Sequence, residues 1–210
     1  MIISFQHRFI FVAIPKTATH SIRVALRPHL GQHDWEQCGL FEEKLFPVAA
    51  LAEIGHGHLS YQEVQPFLLP DFWENSFSFC AVRNPYDRFV SYCNFMNREN
   101  ELMKNDPLRT MKAIIQDKQE AKQILFRPQH EFVTNGAGEL MVNFVAKIET
   151  LQSHFDQICQ RLLIPSTNLQ SINGSGSERY RSCYDCELQE MVQEIYRKDF
   201  ELFDYPLDLQ

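Results

Sequence analysis

The chain has 210 residues, of which 44% are hydrophobic and 22% charged. Those proportions are ordinary for a globular domain and exclude a mainly disordered, collagen-like or coiled-coil protein. The formal net charge of −7 argues against nucleic acid as a partner.

The charge is unevenly placed. From Asp185 to Asp208 there are eight acids and two bases, and the remaining residues are nearly balanced. Global acidity therefore leaves room for a local anion site elsewhere. The longest strongly apolar run, Phe9 to Ile14, is far short of a membrane span, and no secretory leader precedes it. The expectation is a soluble, unprocessed, cytoplasmic protein with one domain over residues 1–210. Of the six cysteines, Cys80 and Cys93 lie among apolar residues and read as buried thiols. Cys183 and Cys186 form a CxxC without a second ligand pair at usable spacing, so no metal site is expected and the thiols read as free.

In chain order, Arg8 to Ile14 reads as a short buried strand broken by Pro15, and His20 to Arg27 as a helix stopped or kinked by Pro28. Residues 31–75 are irregular, with a strand over Glu53 to Leu59 and a short helix over Tyr61 to Leu68. Phe77 to Val82 is the second clear strand. Asn84 then caps a helix with Pro85 in its first turn and an apolar stripe of Tyr86, Phe89, Val90, Cys93 and Met96. A helix follows over Pro107 to Lys118, a strand over Leu140 to Ile148 and a helix over Thr150 to Leu163. The run Asn173-Gly174-Ser175-Gly176-Ser177 marks a flexible loop. Asp185 caps a last helix, with Leu188, Met191, Val192, Ile195 and Tyr196 inward and its acids toward water. Alternating strands and helices predict an α/β fold with a mainly parallel sheet flanked by helices.

Two strand-to-helix junctions carry anion-binding chemistry. Ile14-Pro15-Lys16-Thr17-Ala18-Thr19-His20-Ser21 leads from a strand into a helix, where unsatisfied N–H groups and the helix dipole favour negative charge. Small side chains at Thr17, Ala18 and Ser21 let a phosphate approach the backbone. Lys16 adds a full charge, and Thr17 and Ser21 add hydroxyl donors. This is not a Walker A loop, since no glycine lies between Met1 and Leu30. At the second junction, Arg83 ends a strand and Ser91 follows two helical turns on. A guanidinium fork with a hydroxyl suits a phosphate monoester. Anion sites at two junctions call for a ligand with negative groups at two ends.

The first junction resembles the 5′-phosphosulfate loop of sulfotransferases, usually close to P-K-T-A-G-T-S. Thr19 stands where that family often has glycine or serine, and so requires negative φ there. His20 stands where it usually has threonine. Arg83-Asn84-Pro85-Tyr86-Asp87-Arg88-Phe89-Val90-Ser91-Tyr92 resembles the family's 3′-phosphate motif, R-x-P-x-x-R-x-x-S-x-Y, at Arg83, Pro85, Arg88 and Ser91, with Tyr92 one position ahead of the motif's tyrosine. Arg88 is free in that reading to pair with Asp87. Residues 140–200 resemble the tail of carbohydrate sulfotransferases, through Val142-Asn143-Phe144-Val145, Ile148-Glu149-Thr150-Leu151, a Tyr180 to Tyr184 loop and Tyr196 to Phe200. Residues 31–52 and 98–125 match nothing specific.

The resemblance implies a P-loop nucleoside-triphosphate-hydrolase-like sulfotransferase fold. It implies 3′-phosphoadenylyl sulfate (PAPS) as donor, adenosine 3′,5′-bisphosphate (PAP) as product and a carbohydrate or other hydroxyl acceptor, with no metal. Lys16 would stabilise the leaving group, with Thr17, Ala18, Thr19, His20 and Ser21 around the 5′ end and Arg83 and Ser91 at the 3′ end. Arg179 and Arg181, in the loop 173–181, would close over the nucleotide. Gly55-His56-Gly57-His58 resembles the H-G-H segment of the heparan and dermatan uronyl sulfotransferases. That makes His58 the expected general base and His56 the second choice. His20 would donate to the sulfonate, and His130 reads as a surface residue or a lining of the acceptor cleft. Two other readings stay open. A P-loop-type small-molecule kinase would need a Walker lysine after glycines and a magnesium-holding Asp at a strand end. A non-catalytic nucleotide-binding relative would keep the cradle alone. Oligomeric state is not written in any motif.

Overall fold

In the computed structural model, residues 1–39, 42–169 and 180–209 are described. The main elements are β1 (Ile2–Ser4), β2 (Phe9–Val12), α1 (Thr19–Leu26), β3 (Trp35–Glu36), β4 (Phe77–Val82), α2 (Pro85–Met96), α3 (Pro107–Gln116), β5 (Phe144–Lys147), α4 (Leu151–Leu162) and α5 (Cys186–Leu202). Their boundaries follow local chemistry. Asn84 accepts from the Tyr86 N–H at the start of α2, and Asp185 accepts from the Leu188 N–H at the start of α5. Pro28 falls in a 3-10 turn, Arg27–His29, that ends the first helical segment.

The sheet has the order β3-β1-β2-β4-β5. β2, β4 and β5 pair in parallel, while β1 pairs antiparallel with both β2 and β3. Only β1 therefore runs against the other strands. β1 and β3 are too short for a periodicity signal and are absent from the sequence reading. The strand expected over Glu53 to Leu59 does not form: Glu53 and Ile54 lie in a turn, and Gly55 has a φ of 73° that a strand cannot hold. The strand expected over Leu140 to Ile148 shrinks to β5. Its start is set by Asn143, whose side-chain oxygen accepts from both the N–H and the hydroxyl of Ser78 at 2.8 and 2.9 Å.

Two compact units emerge, one of Met1–Val82 with Glu131–Ile172 and one of Arg83–His130 with Asn173–Gln210. The first holds the sheet, α1 and α4. Phe9, Phe11, Phe79, Ala81 and Ala146 line one sheet face and pack with Ile22 and Leu26 of α1 and with Phe155, Ile158 and Leu162 of α4. Parallel register sets Phe11 beside Phe79, with ring centroids 5.2 Å apart, and Phe77 stacks on Phe79 at 5.6 Å. β2 and all of β4 after Phe77 are buried on both faces, which explains why they read as unbroken apolar runs.

The second unit joins α2, α3 and α5 through Tyr86, Phe89, Met111, Phe126, Val192 and Tyr196. Arg88 is buried there. It donates to the carbonyls of Leu125 and Arg127 at 3.1 and 2.8 Å and lies over the Tyr196 ring, so it does not pair with Asp87 as the sequence allows. No helix among the described residues is long and apolar enough to cross a membrane. Phe79→Ala removes the ring that ties β2 to β4. It is expected to lower stability by about 3–5 kcal/mol in urea unfolding with an unchanged slope; a loss under about 1 kcal/mol would contradict this packing.

Candidate functional site

The junction between β2 and α1 contains no glycine, yet it bends as a glycine-rich loop does. Lys16 has φ 66°, and Ala18 has φ 57° and ψ 23°. Each left-handed non-glycine residue costs about 1–3 kcal/mol and persists only where the surroundings enforce it. Thr19 begins the helix, so positive φ falls one residue before the position where the family often has glycine, and Thr19 keeps the conformation its side chain requires. A left-handed residue followed by a right-handed one turns successive N–H groups toward the same side, which is an anion-binding backbone geometry. Ala18 occupies the capping position and has no side-chain oxygen, so it makes no side-chain cap bond to the first turn of α1.

Three contacts hold this turn. The Thr17 side chain is fully buried and donates its hydroxyl to the Ile14 carbonyl at 2.9 Å. That hydroxyl is turned inward, and Thr17 brings its backbone to the loop where the sequence suggests an outward donor. Ile22 N–H closes the first turn onto the Ala18 carbonyl at 3.2 Å. His58 Nδ1 lies 2.7 Å from the Ala13 carbonyl, three residues ahead of Lys16. Ser21 is buried, while Lys16, Ala18, Thr19 and His20 are partly exposed.

The Gly55-His56-Gly57-His58 segment belongs to the same unit and is fastened from two sides. The Gly57 carbonyl accepts from Arg23 of α1 at 2.8 Å, and the His56 carbonyl accepts from Gln37, just past β3, at 3.0 Å. Gln37 is fully buried and also bonds the Leu51 carbonyl and the Phe46 N–H. A Cβ at Gly57 would come within 2.3 Å of the Gln37 carbonyl oxygen, so close backbone approach demands glycine there. His56 and His58 share a side, with ring centroids 6.4 Å apart.

Hydrogen bonding separates the two histidines. His58 Nδ1 faces a carbonyl, which only accepts, so the proton is on Nδ1 and Nε2 keeps its lone pair. His56 Nδ1 accepts from the His58 N–H at 3.3 Å, so a neutral His56 carries its proton on Nε2. Of the pair, only His58 keeps Nε2 as an acceptor. Burial pushes its pKa down to about 3, against the opposing Ala13 bond, and the nearby Arg23 charge adds to the depression. A ring so reluctant to charge serves well as a hydrogen-bond acceptor and poorly as the holder of a proton near neutral pH.

In the second unit, Arg83 is buried and paired. Its Nε and Nη2 donate to the two Asp87 oxygens at 2.6 and 2.8 Å, one helical turn on. The Arg83 backbone is clamped by the Gln129 side chain, which accepts from its N–H and donates to its carbonyl, both at 2.9 Å. Ser91 is partly exposed on α2, and Arg181 is exposed in the 3-10 turn Arg181–Cys183. Arg179 and the glycine–serine run 173–177 lie outside the described residues. Among the described residues, no group of three or more His, Cys, Asp or Glu is placed to hold a metal ion.

The sequence misses Gln37, Gln129 and Asp199. Asp199 is fully buried and belongs to a last helix whose acids are expected in water. A signal was present: Leu188, Val192 and Tyr196 are the buried stripe, and Asp199 continues it at helical spacing.

The model of the sulfotransferase family matches residues 1–206, nearly the whole chain. The chain belongs to the sulfotransferase family. No curated protein and no solved structure matches it. Membership accords with the mixed α/β sheet and its flanking helices.

The depressed His58 pKa has a stability consequence. The unfolded chain takes up a proton near pH 6.5 that the folded chain refuses until about pH 3. The stabilisation is complete above pH 6.5 and lost progressively as the pH falls toward 3. His58→Asn, which keeps a donor near Ala13 but cannot titrate, is expected to flatten that limb of a pH series of urea midpoints. Superimposable limbs for the two proteins would refute the buried neutral ring.

Proposed function

We propose that the protein transfers a sulfuryl group from PAPS to a hydroxyl acceptor, a carbohydrate or similar small molecule, and releases PAP. The observation that carries this reading is the turn at Lys16 to Thr19. It offers a lysine, a left-handed residue and a helix start without a capping side chain, in a chain of the sulfotransferase family.

In this reading the backbone of Thr17, Ala18, Thr19, His20 and Ser21 takes the 5′-phosphosulfate. Lys16 meets the bridging oxygen, where negative charge grows as the sulfur–oxygen bond breaks. Arg83 and Ser91 take the 3′-phosphate, with Arg181 beside the nucleotide. Asp87 occupies the Nε–Nη2 edge of Arg83, so the guanidinium that meets the phosphate has its orientation already set. His58 and His56 border the acceptor, with His58 Nε2 accepting from its hydroxyl. The reading asks for no metal.

Calorimetry with PAP and with ATP–Mg, followed by transfer assays with ³⁵S-labelled PAPS over a panel of sugars, glycolipids and phenols, tests it. PAP is expected to bind and ATP–Mg not to. Lys16→Ala is expected to lower kcat by about 10²–10³-fold, the range for one transition-state donor. Preference for ATP–Mg would instead favour a small-molecule kinase. Tight PAP binding with no transfer to any acceptor would favour a non-catalytic relative.

A further inference from the structure

Arg83 stands at a break in backbone order. β4 pairs with β5 as far as Val82, opposite Lys147, and α2 begins at Pro85. Buried backbone groups at such a break need partners from elsewhere. Gln129, fully buried, supplies two. Its side-chain oxygen accepts from the Arg83 N–H, and its amide nitrogen donates to the Arg83 carbonyl, each at 2.9 Å. An amide used in this way stands in for the peptide of a neighbouring strand, where one residue exchanges both bonds with its opposite number. It carries the order of β4 one residue further.

The segment that carries Gln129 is tied down within the same unit. Arg88 donates to the carbonyls of Leu125 and Arg127 at 3.1 and 2.8 Å, and the Tyr196 hydroxyl donates to the Phe126 carbonyl at 2.8 Å. Asp199, sealed from solvent, accepts from the Gln129 N–H at one oxygen and from the His130 N–H at the other, both at 2.8 Å. The second arginine of R-x-P-x-x-R thus holds the segment whose glutamine holds the first. Asp87 fixes Arg83 at its guanidinium, and Gln129 fixes it at its backbone. An apolar side chain of the same length would fill the space equally well. Two bonds to one residue's backbone ask for an amide.

We propose that Gln129 is a positioning residue for the donor. By clamping the Arg83 backbone it sets where the guanidinium meets the 3′-phosphate, and so it determines the preference for a nucleotide that carries one. The inference rests on the proposed reading of Arg83 as the 3′-phosphate contact. Gln129 touches no ligand in it, and Asp199 acts one step further back, as the anchor of the Gln129 backbone. A phosphate held by a charged fork loses affinity when the fork is displaced, because those hydrogen bonds depend on direction as well as distance.

The test is calorimetry with PAP and with adenosine 5′-monophosphate, which lacks the 3′-phosphate. It compares the unaltered protein with Gln129→Met, Gln129→Asn, Arg83→Ala and the double variant of Gln129→Met with Arg83→Ala. Gln129→Met keeps the length and loses both bonds. Gln129→Asn keeps the amide one methylene short, and decides the matter where Gln129→Met does not fold. Either is expected to weaken PAP binding by about 10–100-fold, the span of one or two hydrogen bonds to a charged group, and to leave adenosine 5′-monophosphate within about twofold. Once Arg83 is alanine, Gln129→Met is expected to change PAP affinity by no more than about twofold, because its effect runs through Arg83. Parallel loss of both nucleotides overturns the proposal, since it marks a general structural role. So do additive losses in the double variant, and so does PAP affinity within about twofold of normal in a folded Gln129 variant. Where Arg83→Ala still loses PAP, those results leave the phosphate role of Arg83 standing and remove only Gln129. If Arg83→Ala binds PAP as the unaltered protein does, or if the unaltered protein binds PAP no more tightly than adenosine 5′-monophosphate, the 3′-phosphate reading itself fails. Gln129 as its positioning residue then fails with it.

Discussion

The turn from β2 into α1 starts a helix with no side-chain cap from its Ala18, and it does so at a cost. Ala18 and Lys16 adopt left-handed backbone without being glycine. The strain is sustained by neighbours that are themselves immobile. Thr17 is tied to Ile14, and His58 is tied to Ala13. Behind them Arg23 reaches from α1 to the Gly57 carbonyl, and Gln37 braces the same segment from the β3 side. The two histidines of the H-G-H segment are thus part of the scaffold that sets the turn. One of them, through its ring nitrogen, is a direct strut.

Charge in the second unit follows a different rule. Burying Arg83 without a partner would be prohibitive, and Asp87 at one helical turn supplies the partner. The pair nearly cancels its own field, so it presents an oriented guanidinium more than net positive charge. This agrees with a chain whose overall charge is −7. Arg88, four residues before the end of the same motif's serine-tyrosine pair, is instead spent on the Leu125 and Arg127 carbonyls and the Tyr196 ring. The motif R-x-P-x-x-R therefore mixes an arginine paired with Asp87 and one that builds the helical unit.

What was legible in the sequence was whatever strong local periodicity or a cap could encode. β4, α2 with its Asn84 cap, and α5 with its Asp185 cap lie where pattern and caps place them. Strands of two or three residues, such as β3 and β1, cannot show a period of two and exist only because the sheet pairs them. The H-G-H segment alternates like a strand, but Gly55 and the Gln37 clamp bend it into a loop. Lys16 and Arg83 were legible as charges at strand ends. Gln129 and Asp199 were not, because their bonds come from tertiary packing: Gln129 bonds Arg83 across 46 positions and Asp199 bonds Gln129 across 70.

The exception on α5 shows why that matters. Helical patterning assigns acids to the wet face, and it succeeds along the helix until Asp199, which lies fully buried in line with Tyr196. A buried carboxylate is tolerated only where its oxygens are satisfied, and here three N–H groups do so: two from the backbone and one from a histidine ring. The backbone bonds alone would hold the segment after Pro128 in place. The ring bond adds something those two do not, since it fixes which imidazole nitrogen carries the proton. A local rule broken and then repaired in this way marks a position where the fold accepts a costly group for chemistry that a simple apolar residue could not supply. Such positions separate histidines by the partner on Nδ1, a carbonyl for His58 and a buried carboxylate for His130.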